Sequence, residues 1–487
     1  MIATYRTPDA DRNARAVIQR LWSFCNVLKD DGVSYGDYVE QLTYLLFLKM
    51  EDEAIRETGR PSTLPKGARW SDLVGRSGID LEARYIAALQ LLGHAPGTVG
   101  RIFLRAQNKI QDGAKLKRLI KLIDAERWSD MDSDVKGTIY EGLLERNAED
   151  VKSGAGQYFT PRPLVRAITA VVRPAVGESV CDPACGTGGF LLESLRVIRS
   201  RPGRRDSDLD PSILAGWEIV PATARLCLMS LYLRGVPDHE MDVNVGDALL
   251  AAPDRAFDVV LTNPPFGRRS SMTFSNEAAA DADQLVYRRD DFLATTSNKQ
   301  LNFLQHVMSL LGRKGRAAVV VPDSVLSEGG AGETVRRALL ELFEVHTLLR
   351  LPPGIFYAGS VKSSVLFFDR RPTKSKPRGS ERLWTYDMRT GKRFSLRSEP
   401  LTDEAMDDFI GRYGGTNRKS RTADGPFRSF AIGDILGFER CSLDLGLAIG
   451  STSVDIAEPP SVIAAEIIDR LEAAADAIRA IEQDLAP

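Results

Sequence analysis

The sequence predicts an α/β fold in which helices cover a sheet with parallel strands, with an all-helical region before the sheet and a helix at the C-terminus. Two observations support this prediction. Short β-branched-rich runs such as 257–261 and 315–322 alternate with segments of helical periodicity, as in parallel strands joined by crossover helices. Residues 10–145 instead show helical periodicity throughout.

Composition is that of an ordinary globular protein, with 43% hydrophobic and 27% charged residues among 487. The net charge of −2 provides no general basic field, so nucleic acid binding would need a local patch or a partner. The polar first fifteen residues lack a secretory signal, and no run approaches ~18 apolar residues. We therefore expect a cytoplasmic protein.

The cysteines indicate reduced thiols, because an odd, scattered set does not form a disulfide framework. The close pair has no second Cys or His pair beside it, so we predict no metal site. The five cysteines are Cys25, Cys181, Cys185, Cys227 and Cys441.

Four regions are predicted along the chain: 1–148 helical, 149–371 α/β, 372–457 small and mixed, and 458–487 a C-terminal helix. Residues 38–50 are apolar nearly all round and predict a buried helix, and 116–123 predict an amphipathic one. Breaks are predicted at 59–67 and 93–100. A solvated face is favoured over phosphate contacts for the basic residues Lys109, Lys115, Lys117, Arg118 and Lys121.

A loop rich in glycine and proline, residues 154–163, precedes a predicted helix at 164–172. Thr160 is predicted to be the N-cap of this helix, with Pro161 at its first position. A helix N-terminus reached in this way can bind a carboxylate or another anion.

A second motif, residues 179–191, has the pattern of a strand, a glycine-rich turn and a helix. Its glycines allow a ligand to approach the backbone. The spacing of Gly186-Thr187-Gly188-Gly189 differs from that of dinucleotide-binding and phosphate-binding loops, which excludes NAD and nucleoside triphosphates as the natural ligand.

Three predicted strands each end at an acidic residue: Asp182, then Glu218, then Asp247. An acid at the second position can accept hydrogen bonds from ribose hydroxyls, as in Rossmann folds. Asp247 could accept from an adenine amino group. One acid alone would be more often a cap or a surface residue, but the repeated pattern predicts a nucleoside-type cofactor.

The strand predicted at 257–261 ends in Asn263-Pro264-Pro265-Phe266. The prolines lack N–H groups but keep their carbonyls, and Asn263 adds a side-chain carbonyl. This acceptor-rich site suits an amino group with two N–H donors, and Phe266 offers a face for a planar ring. Taken alone, the motif is equally consistent with a turn that merely ends a strand.

Residues 268–298 predict either a lid that contacts the substrate or a disordered insertion, and these alternatives stay open. The loop at 352–359 carries the aromatics Phe356 and Tyr357, which we expect to be exposed for base stacking. A loop anchored by its own aromatics is the alternative. His306 and His346 lie in apolar settings that predict core or supporting roles.

Together these motifs resemble a family. The order of Gln157-Tyr158-Phe159-Thr160-Pro161, the segment 182–190, Glu218, Asp247 and Asn263-Pro264-Pro265-Phe266 is similar to that of gamma-class amino-methylating DNA methyltransferases. The helical N-terminal region and residues 351–368 resemble the modification subunit of type I restriction–modification systems. The resemblance implies a Rossmann-like, S-adenosylmethionine-dependent methyltransferase fold in 149–371 and N6-adenine methylation of DNA.

The resemblance also implies residue roles. Asn263 and Pro264 would accept from the amino group of a flipped adenine within the catalytic set Asn263 to Phe266, and Phe266 and Phe356 would stack on its ring. Tentative DNA contacts are Arg268, Arg269, Arg288 and Arg289. The cofactor would be bound by Gln157, Tyr158, Phe159, Thr160, Pro161, Arg162, Asp182, Ala184, Gly186, Thr187, Gly188, Gly189, Glu218, Asp247 and Asn263.

About 115 residues follow the last predicted core strand, which is small for a DNA-reading domain once the terminal helix is set aside. We therefore expect a separate specificity subunit to read the sequence of double-stranded DNA. Residues 461–485 have coiled-coil-like spacing and are predicted to dock on that subunit. By resemblance, two copies of this chain would join one specificity subunit, cleavage would belong to a restriction subunit, and the complex would be nucleoid-associated.

Two alternatives remain at this point. Similar Asn-Pro-Pro-aromatic sites methylate glutamine side-chain amides of proteins, but the N-terminal helical region and the 268–298 insertion disfavour that substrate. The other alternative is an inactive DNA-binding scaffold. The complete set of Asp182, Glu218, Asp247 and Asn263 disfavours it.

Overall fold

The computed structural model describes residues 8–29, 33–59, 61–62, 64–128, 131, 139–140, 142–144, 160–200, 214–236, 242–266, 287–356, 362–371, 381–389, 394, 399–414 and 418–445. The chain folds into two compact units. Unit 1 comprises Met1–Gln157 and Arg173–Ala248, and unit 2 comprises Tyr158–Val172 and Leu249–Pro487. The predictions for Gln157, Tyr158, Phe159, Arg268, Arg269, Tyr357 and the helix at 461–485 lie outside the described residues.

The helices are α1 (Pro8–Lys29), α2 (Tyr35–Thr58), α3 (Trp70–Val74), α4 (Gly78–Gly93), α5 (Gly97–Phe103), α6 (Gly113–Asp124), α7 (Arg162–Val172), α8 (Gly189–Arg199), α9 (Pro221–Leu233), α10 (Lys299–Leu310), α11 (Asp323–Ser327), α12 (Ala331–Leu342), α13 (Asp403–Tyr413) and α14 (Ile432–Gly437). The strands are β1 (Val180–Asp182), β2 (Leu214–Glu218), β3 (Asp242–Val245), β4 (Phe257–Thr262), β5 (Leu311–Pro322), β6 (Phe343–Arg350), β7 (Ser363–Arg370), β8 (Arg382–Asp387) and β9 (Phe427–Ala431). The predicted α/β fold with N-terminal helices is confirmed.

The N-terminal helices α1 to α6 belong to unit 1. Helix α2 follows the N-cap Ser34, whose Oγ accepts from the Asp37 N–H at 3.0 Å. Its buried residues surround the helix, which confirms the buried helix predicted at 38–50. The break predicted at 93–100 is wrong in its second half, because α5 already begins at Gly97.

The basic residues near α6 are used partly inside unit 1. Lys117 donates to the carbonyl of Val74, and the Arg118 guanidinium lies 5.6 Å from the Phe24 ring centroid. Lys109 and Lys121 are exposed. The solvated face predicted here therefore holds for Lys109 and Lys121, whereas Lys117 and Arg118 contact other residues of unit 1.

Unit 1 also contains three parallel strands in the order β3-β2-β1. Asp182 pairs with Gly216, and Glu218 pairs with Val245. Because the strands are parallel neighbours, their carboxyl ends lie at one edge, with β2 extending two residues beyond the pairing partner of Asp182. This is the edge of an α/β sheet where ligands bind.

The strands of unit 2 are ordered β4-β5-β7-β6-β8-β9. Strands β4 and β5 are parallel, as are β6 and β8, whereas β7 is antiparallel to both β5 and β6. Strand β9 is antiparallel to β8. The boundary predicted near 372 falls between β7 and β8, which are strands of one sheet.

Helix α7 packs within unit 2, although it precedes β1 in the sequence. Arg166 Nε and Nη2 donate to the two carboxylate oxygens of Asp403 in α13, at 2.7 and 2.9 Å. The Pro161 carbonyl accepts from the Val165 N–H at 3.1 Å, which is the first intrahelical bond. Pro161 is therefore the N-cap, and the prediction that Thr160 caps this helix is wrong. This leaves the Thr160 hydroxyl available for another contact.

The core of unit 2 contains a buried cation, Arg336 of α12, which is 0% exposed. Its guanidinium donates to four backbone carbonyls, those of Val325, Glu328, Arg440 and Cys441, at 2.5 to 3.1 Å. It thereby connects α12 to the segment after α14.

All five cysteines are buried, and none forms a disulfide. Across the described ranges, no three His, Cys, Asp or Glu side chains are grouped so that they could hold a metal ion. No helix within those same ranges is long and apolar enough to span a membrane.

Candidate functional site

The acidic residues predicted to bind a cofactor lie at the carboxyl edge of the unit 1 strands. Asp182, the last residue of β1, is 2% exposed, and its Oδ1 accepts from the Ala184 N–H at 3.1 Å. Glu218 ends β2, and Asp247 lies in the turn after β3. Since these strands are neighbours in the order β3-β2-β1, the three acids follow one another along the edge.

The Glu218 carboxylate organises the turns around it. Its Oε2 accepts from the Gly186 N–H at 3.1 Å, and its Oε1 accepts from the Val220 N–H at 2.8 Å. The Glu218 backbone carbonyl accepts from the Gly246 N–H at 2.9 Å. A carboxylate oxygen can accept more than one hydrogen bond, so this group can hold the turn and still accept from a diol.

The glycine-rich turn packs too closely for larger residues. Gly188 has φ of 87°, and a Cβ at this residue would lie 2.7 Å from Cys227 Sγ. A Cβ on Gly216 in β2 would lie 3.0 Å from Cys185 Sγ. A hydrogen bond with Cys227, together with burial, raises the pKa of the Cys185 thiol. Helix α8 then begins at Gly189, with Thr187 half-buried in the turn before it.

Two apolar residues that were not predicted from the sequence lie at the same edge. Ile219 is 37% exposed directly after Glu218, and Val245 is 49% exposed at the end of β3. Exposed apolar side chains can pack against the faces of a planar ring, and a neighbouring acid can accept hydrogen bonds from polar groups on the edge of that ring. The sequence signal that could have identified Ile219 is its position immediately after Glu218, the acid that ends β2.

In unit 2, Asn263 follows β4 and is hydrogen-bonded to Thr160. Its Nδ2 donates to Thr160 Oγ1 at 2.8 Å. Its Oδ1 is buried and, among the residues described, has no hydrogen-bond partner. Leaving a buried acceptor unsatisfied costs about 1–3 kcal/mol, so this oxygen marks a place for an incoming donor.

The following prolines are held by α10. Gln300, in the first turn of that helix, donates from Nε2 to the Pro265 carbonyl. The N-cap Asn298 accepts from the backbone N–H of Gln300 at 2.9 Å and donates to both carboxylate oxygens of Glu328. The loop after β4 is thus connected to a capped helix and not only to its own strand.

The two predicted stacking aromatics come together. The rings of Phe266 and Phe356 meet edge to face, with centroids 5.5 Å apart and planes at 90°. The prediction that Phe356 is exposed is wrong, because it is 2% exposed, and Phe266 is 8% exposed. The apolar contact between the rings covers Phe356, as in the alternative of a loop anchored by its aromatics.

Arg289, predicted to contact DNA, has a different use. Its guanidinium ion-pairs with Asp291 at 2.5 Å, donates to the Leu249 carbonyl at 3.2 Å, and lies 4.1 Å from the Phe292 ring centroid. Its side chain is 4% exposed, so its guanidinium is not available to a DNA phosphate. Arg288 is exposed.

Residues 287–298, the end of the predicted insertion, are ordered against α10. Gln305 Oε1 accepts from the N–H groups of Leu293 and Ala294 at 2.7 and 2.8 Å. His306 Nδ1 lies 3.0 Å from Arg289 Nη1, and burial lowers the pKa of His306 to about 3. His306 and His346 are each 3% exposed, as predicted for core histidines.

Comparison with known proteins identifies similar chains. The family described as N-6 DNA Methylase matches residues 131–428, and the HsdM N-terminal domain matches residues 17–123. The StySJI type I restriction enzyme methylase subunit of Salmonella typhimurium is 39% identical over 425 residues, which cover 82% of this chain and 77% of the relative. The EcoKI methylase subunit of Escherichia coli is 38% identical with the same coverage.

Solved structures give the same result. The EcoKI M protein is 32% identical, with a TM-score of 0.53, and the match covers 97% of this chain and 96% of that protein. A chain from a structure of the type I R-M system, described for its complex assembly and conformational transition, has a TM-score of 0.72 at 26% identity. That match covers 96% of this chain and 98% of the other.

Proposed function

This chain belongs to the N-6 DNA methylase family and is a methylase subunit of the type I restriction class. On this basis we propose how its residues methylate adenine in DNA. The observation that carries the proposal is the buried Oδ1 of Asn263, which has no hydrogen-bond partner within the described part of the chain. The 6-amino group of a flipped adenine supplies the donor that this oxygen needs.

Unit 2 provides the acceptors for the amino group. Asn263 Oδ1 and the Pro264 carbonyl would each accept one N–H of the adenine 6-amino group. The lone pair of that nitrogen is delocalised into the ring, and two acceptors favour the more tetrahedral nitrogen that attacks a methyl group. This contribution is geometric and electrostatic and needs no covalent intermediate.

Phe266 supports the same proposal, because its face would stack on the flipped base. Phe356 would support Phe266 through their edge-to-face contact and complete the apolar wall. The four residues of the motif and Phe356 thus form the adenine-binding part of the proposed site.

For the cofactor we propose S-adenosylmethionine, bound at the carboxyl edge of unit 1. When bound, it supplies an electrophilic methyl group on a sulfonium. Glu218 would accept hydrogen bonds from the ribose hydroxyls of the cofactor, and Asp247 would accept from the amino group of the cofactor's adenine. Ile219 would pack against the adenine ring of the cofactor. Gly186 to Gly189 keep the turn small enough for the backbone to approach, and Asp182 holds its start through Ala184. Pro161 and Arg162 remain proposed cofactor contacts.

We further propose that a specificity subunit selects the DNA sequence, with two copies of this chain per specificity subunit and a separate restriction subunit for cleavage. The comparisons do not support the alternative of a glutamine methyltransferase, since the named relatives are type I methylase subunits. Arg288, which is exposed, stays a proposed DNA contact.

The test is to co-express the chain with its specificity subunit and to map N6-methyladenine across the host DNA. Methylation is expected at one bipartite sequence, only when both subunits are present, and is lost in Asn263→Ala. The variant should still bind S-adenosylhomocysteine, as measured by calorimetry. Methylation of protein glutamine without any DNA mark would overturn the proposal.

A further inference from the structure

We propose that Thr160 is a positioning residue that holds the Asn263 amide through its Nδ2, so that its Oδ1 is presented to the target amino group. This inference rests on the proposed function. It assigns Thr160 a role different from the cofactor contact implied by the motif in which it lies.

The first step is the hydrogen bond itself. An asparagine amide has a donor end and an acceptor end of nearly the same shape, and rotation by 180° exchanges them. Here Nδ2 donates to Thr160 Oγ1 at 2.8 Å, which leaves Oδ1 as the end without a partner in the described ranges. With Nδ2 held by Thr160, Oδ1 is the end of the amide that can accept from a substrate N–H.

The second step is the freedom of the Thr160 hydroxyl. Pro161 is the N-cap of α7, and its carbonyl accepts from the Leu164 and Val165 N–H groups at 3.0 and 3.1 Å. Thr160 therefore lies outside the helix and is not engaged as its cap. Its hydroxyl oxygen can accept from Asn263 without competition from α7.

The third step is how firmly Thr160 is held. Helix α7 is attached to unit 2 by the ion pair of Arg166 with Asp403 and by Arg316 Nε, which donates to the Val172 carbonyl at 2.9 Å. Asn263 follows the buried strand β4, whose neighbour β5 also carries Arg316. Thr160 directly precedes the N-cap of α7 and Asn263 follows β4, so both residues of the hydrogen bond adjoin packed elements of unit 2.

The expected size follows from one neutral hydrogen bond, about 0.5–1.5 kcal/mol, which corresponds to roughly a two- to tenfold change in rate. Thr160→Val keeps the shape and removes the hydroxyl. In the complex with the specificity subunit, at saturating S-adenosylmethionine, it should slow single-turnover methylation of a duplex oligonucleotide by that factor. Thr160→Ser, which keeps the hydroxyl, should restore most of the rate.

A contact with the cofactor predicts the opposite pattern. Thr160→Val would then weaken binding of S-adenosylhomocysteine while the rate at saturation stayed close to wild type. That result, or wild-type values for both quantities, would overturn the proposal. Thr334→Val, an exposed threonine on α12, is the matched control and should change neither. If Thr160→Val does not fold, Thr160→Ala gives the same comparison.

A readout independent of activity separates this inference from the proposed function. With ¹⁵N-labelled asparagine, the Asn263 side-chain amide signal can be assigned by its loss in Asn263→Ala. Its proton exchange should be slow in the wild type and Thr160→Ser and faster in Thr160→Val. Equal exchange in all three would overturn the positioning role even if DNA is methylated, whereas absence of DNA methylation with the expected exchange pattern would overturn only the proposed function.

Discussion

Replacing Gly188 with alanine should destabilise the turn that leads into α8, for two separable reasons. At φ of 87° a residue with a Cβ incurs about 1–2 kcal/mol of backbone strain. The new Cβ would also lie 2.7 Å from Cys227 Sγ, and such overpacking costs a further ~1–3 kcal/mol. The free energy of unfolding should therefore fall by about 2–5 kcal/mol.

The same substitution should weaken cofactor binding, because the turn also presents the Gly186 N–H to Glu218 at 3.1 Å. Urea unfolding followed by circular dichroism measures the first effect, and calorimetry with S-adenosylhomocysteine measures the second. Gly411→Ala is the control: a Cβ on this exposed glycine of α13 would have no atom within 4 Å, and the variant should gain about 0.5–1 kcal/mol.

A double variant separates the two reasons. Gly188→Ala with Cys227→Ala removes the steric conflict but keeps the strained φ. It should be more stable than the sum of the two single effects by about 1–3 kcal/mol, the part assigned to overpacking. The reasoning fails if Gly188→Ala unfolds at the wild-type urea concentration, or if the two effects simply add.

Three further predictions concern unit 2. Gln300→Met removes the donor to the Pro265 carbonyl, so single-turnover methylation should slow about two- to tenfold with unchanged cofactor affinity. Arg336→Met leaves four backbone carbonyls without their common donor, and the free energy of unfolding should fall by at least about 1–3 kcal/mol in urea titration. Burial lowers the pKa of His346 from 6.5 to about 4, so the unfolded chain binds a proton between these values that the folded chain does not. Stability of the wild type should fall as pH drops through this window, and His346→Gln should reduce that slope.

Each of these has a result that would contradict it. A wild-type rate for Gln300→Met would mean that the Pro265 carbonyl needs no donor. A loss below about 1 kcal/mol for Arg336→Met would mean that water replaces the guanidinium at the carbonyls. An unchanged slope of stability between pH 6.5 and 4 in His346→Gln would assign acid sensitivity to another group, such as His306, whose pKa burial also lowers.

The strands and their acidic ends were predictable because both signals are local. The apolar run of β4 stops at two prolines, and Glu218 directly ends the run of β2. The antiparallel placement of β7 between β5 and β6 was not predictable in this way, since pairing order depends on contacts between distant segments.

The same distinction holds at the site. Asn263 was identified from its neighbours in sequence, but its hydrogen-bond partner Thr160 lies 103 positions earlier. Phe356 was expected to be exposed because it follows two prolines and a glycine, yet the ring of Phe266 covers it. Arg289 looked like a cation available for phosphate, but Asp291 and the Leu249 carbonyl satisfy it.

The route of the chain decides how this protein can be divided. Residues 158–172 fold with 249–487, although 173–248 separate them in the sequence. A polypeptide cut between Ala248 and Leu249 would therefore carry Thr160 on one fragment and Asn263 on the other. Complementation between such fragments should depend on α7 being present in the first fragment. The Thr160–Asn263 hydrogen bond would then form between the two fragments.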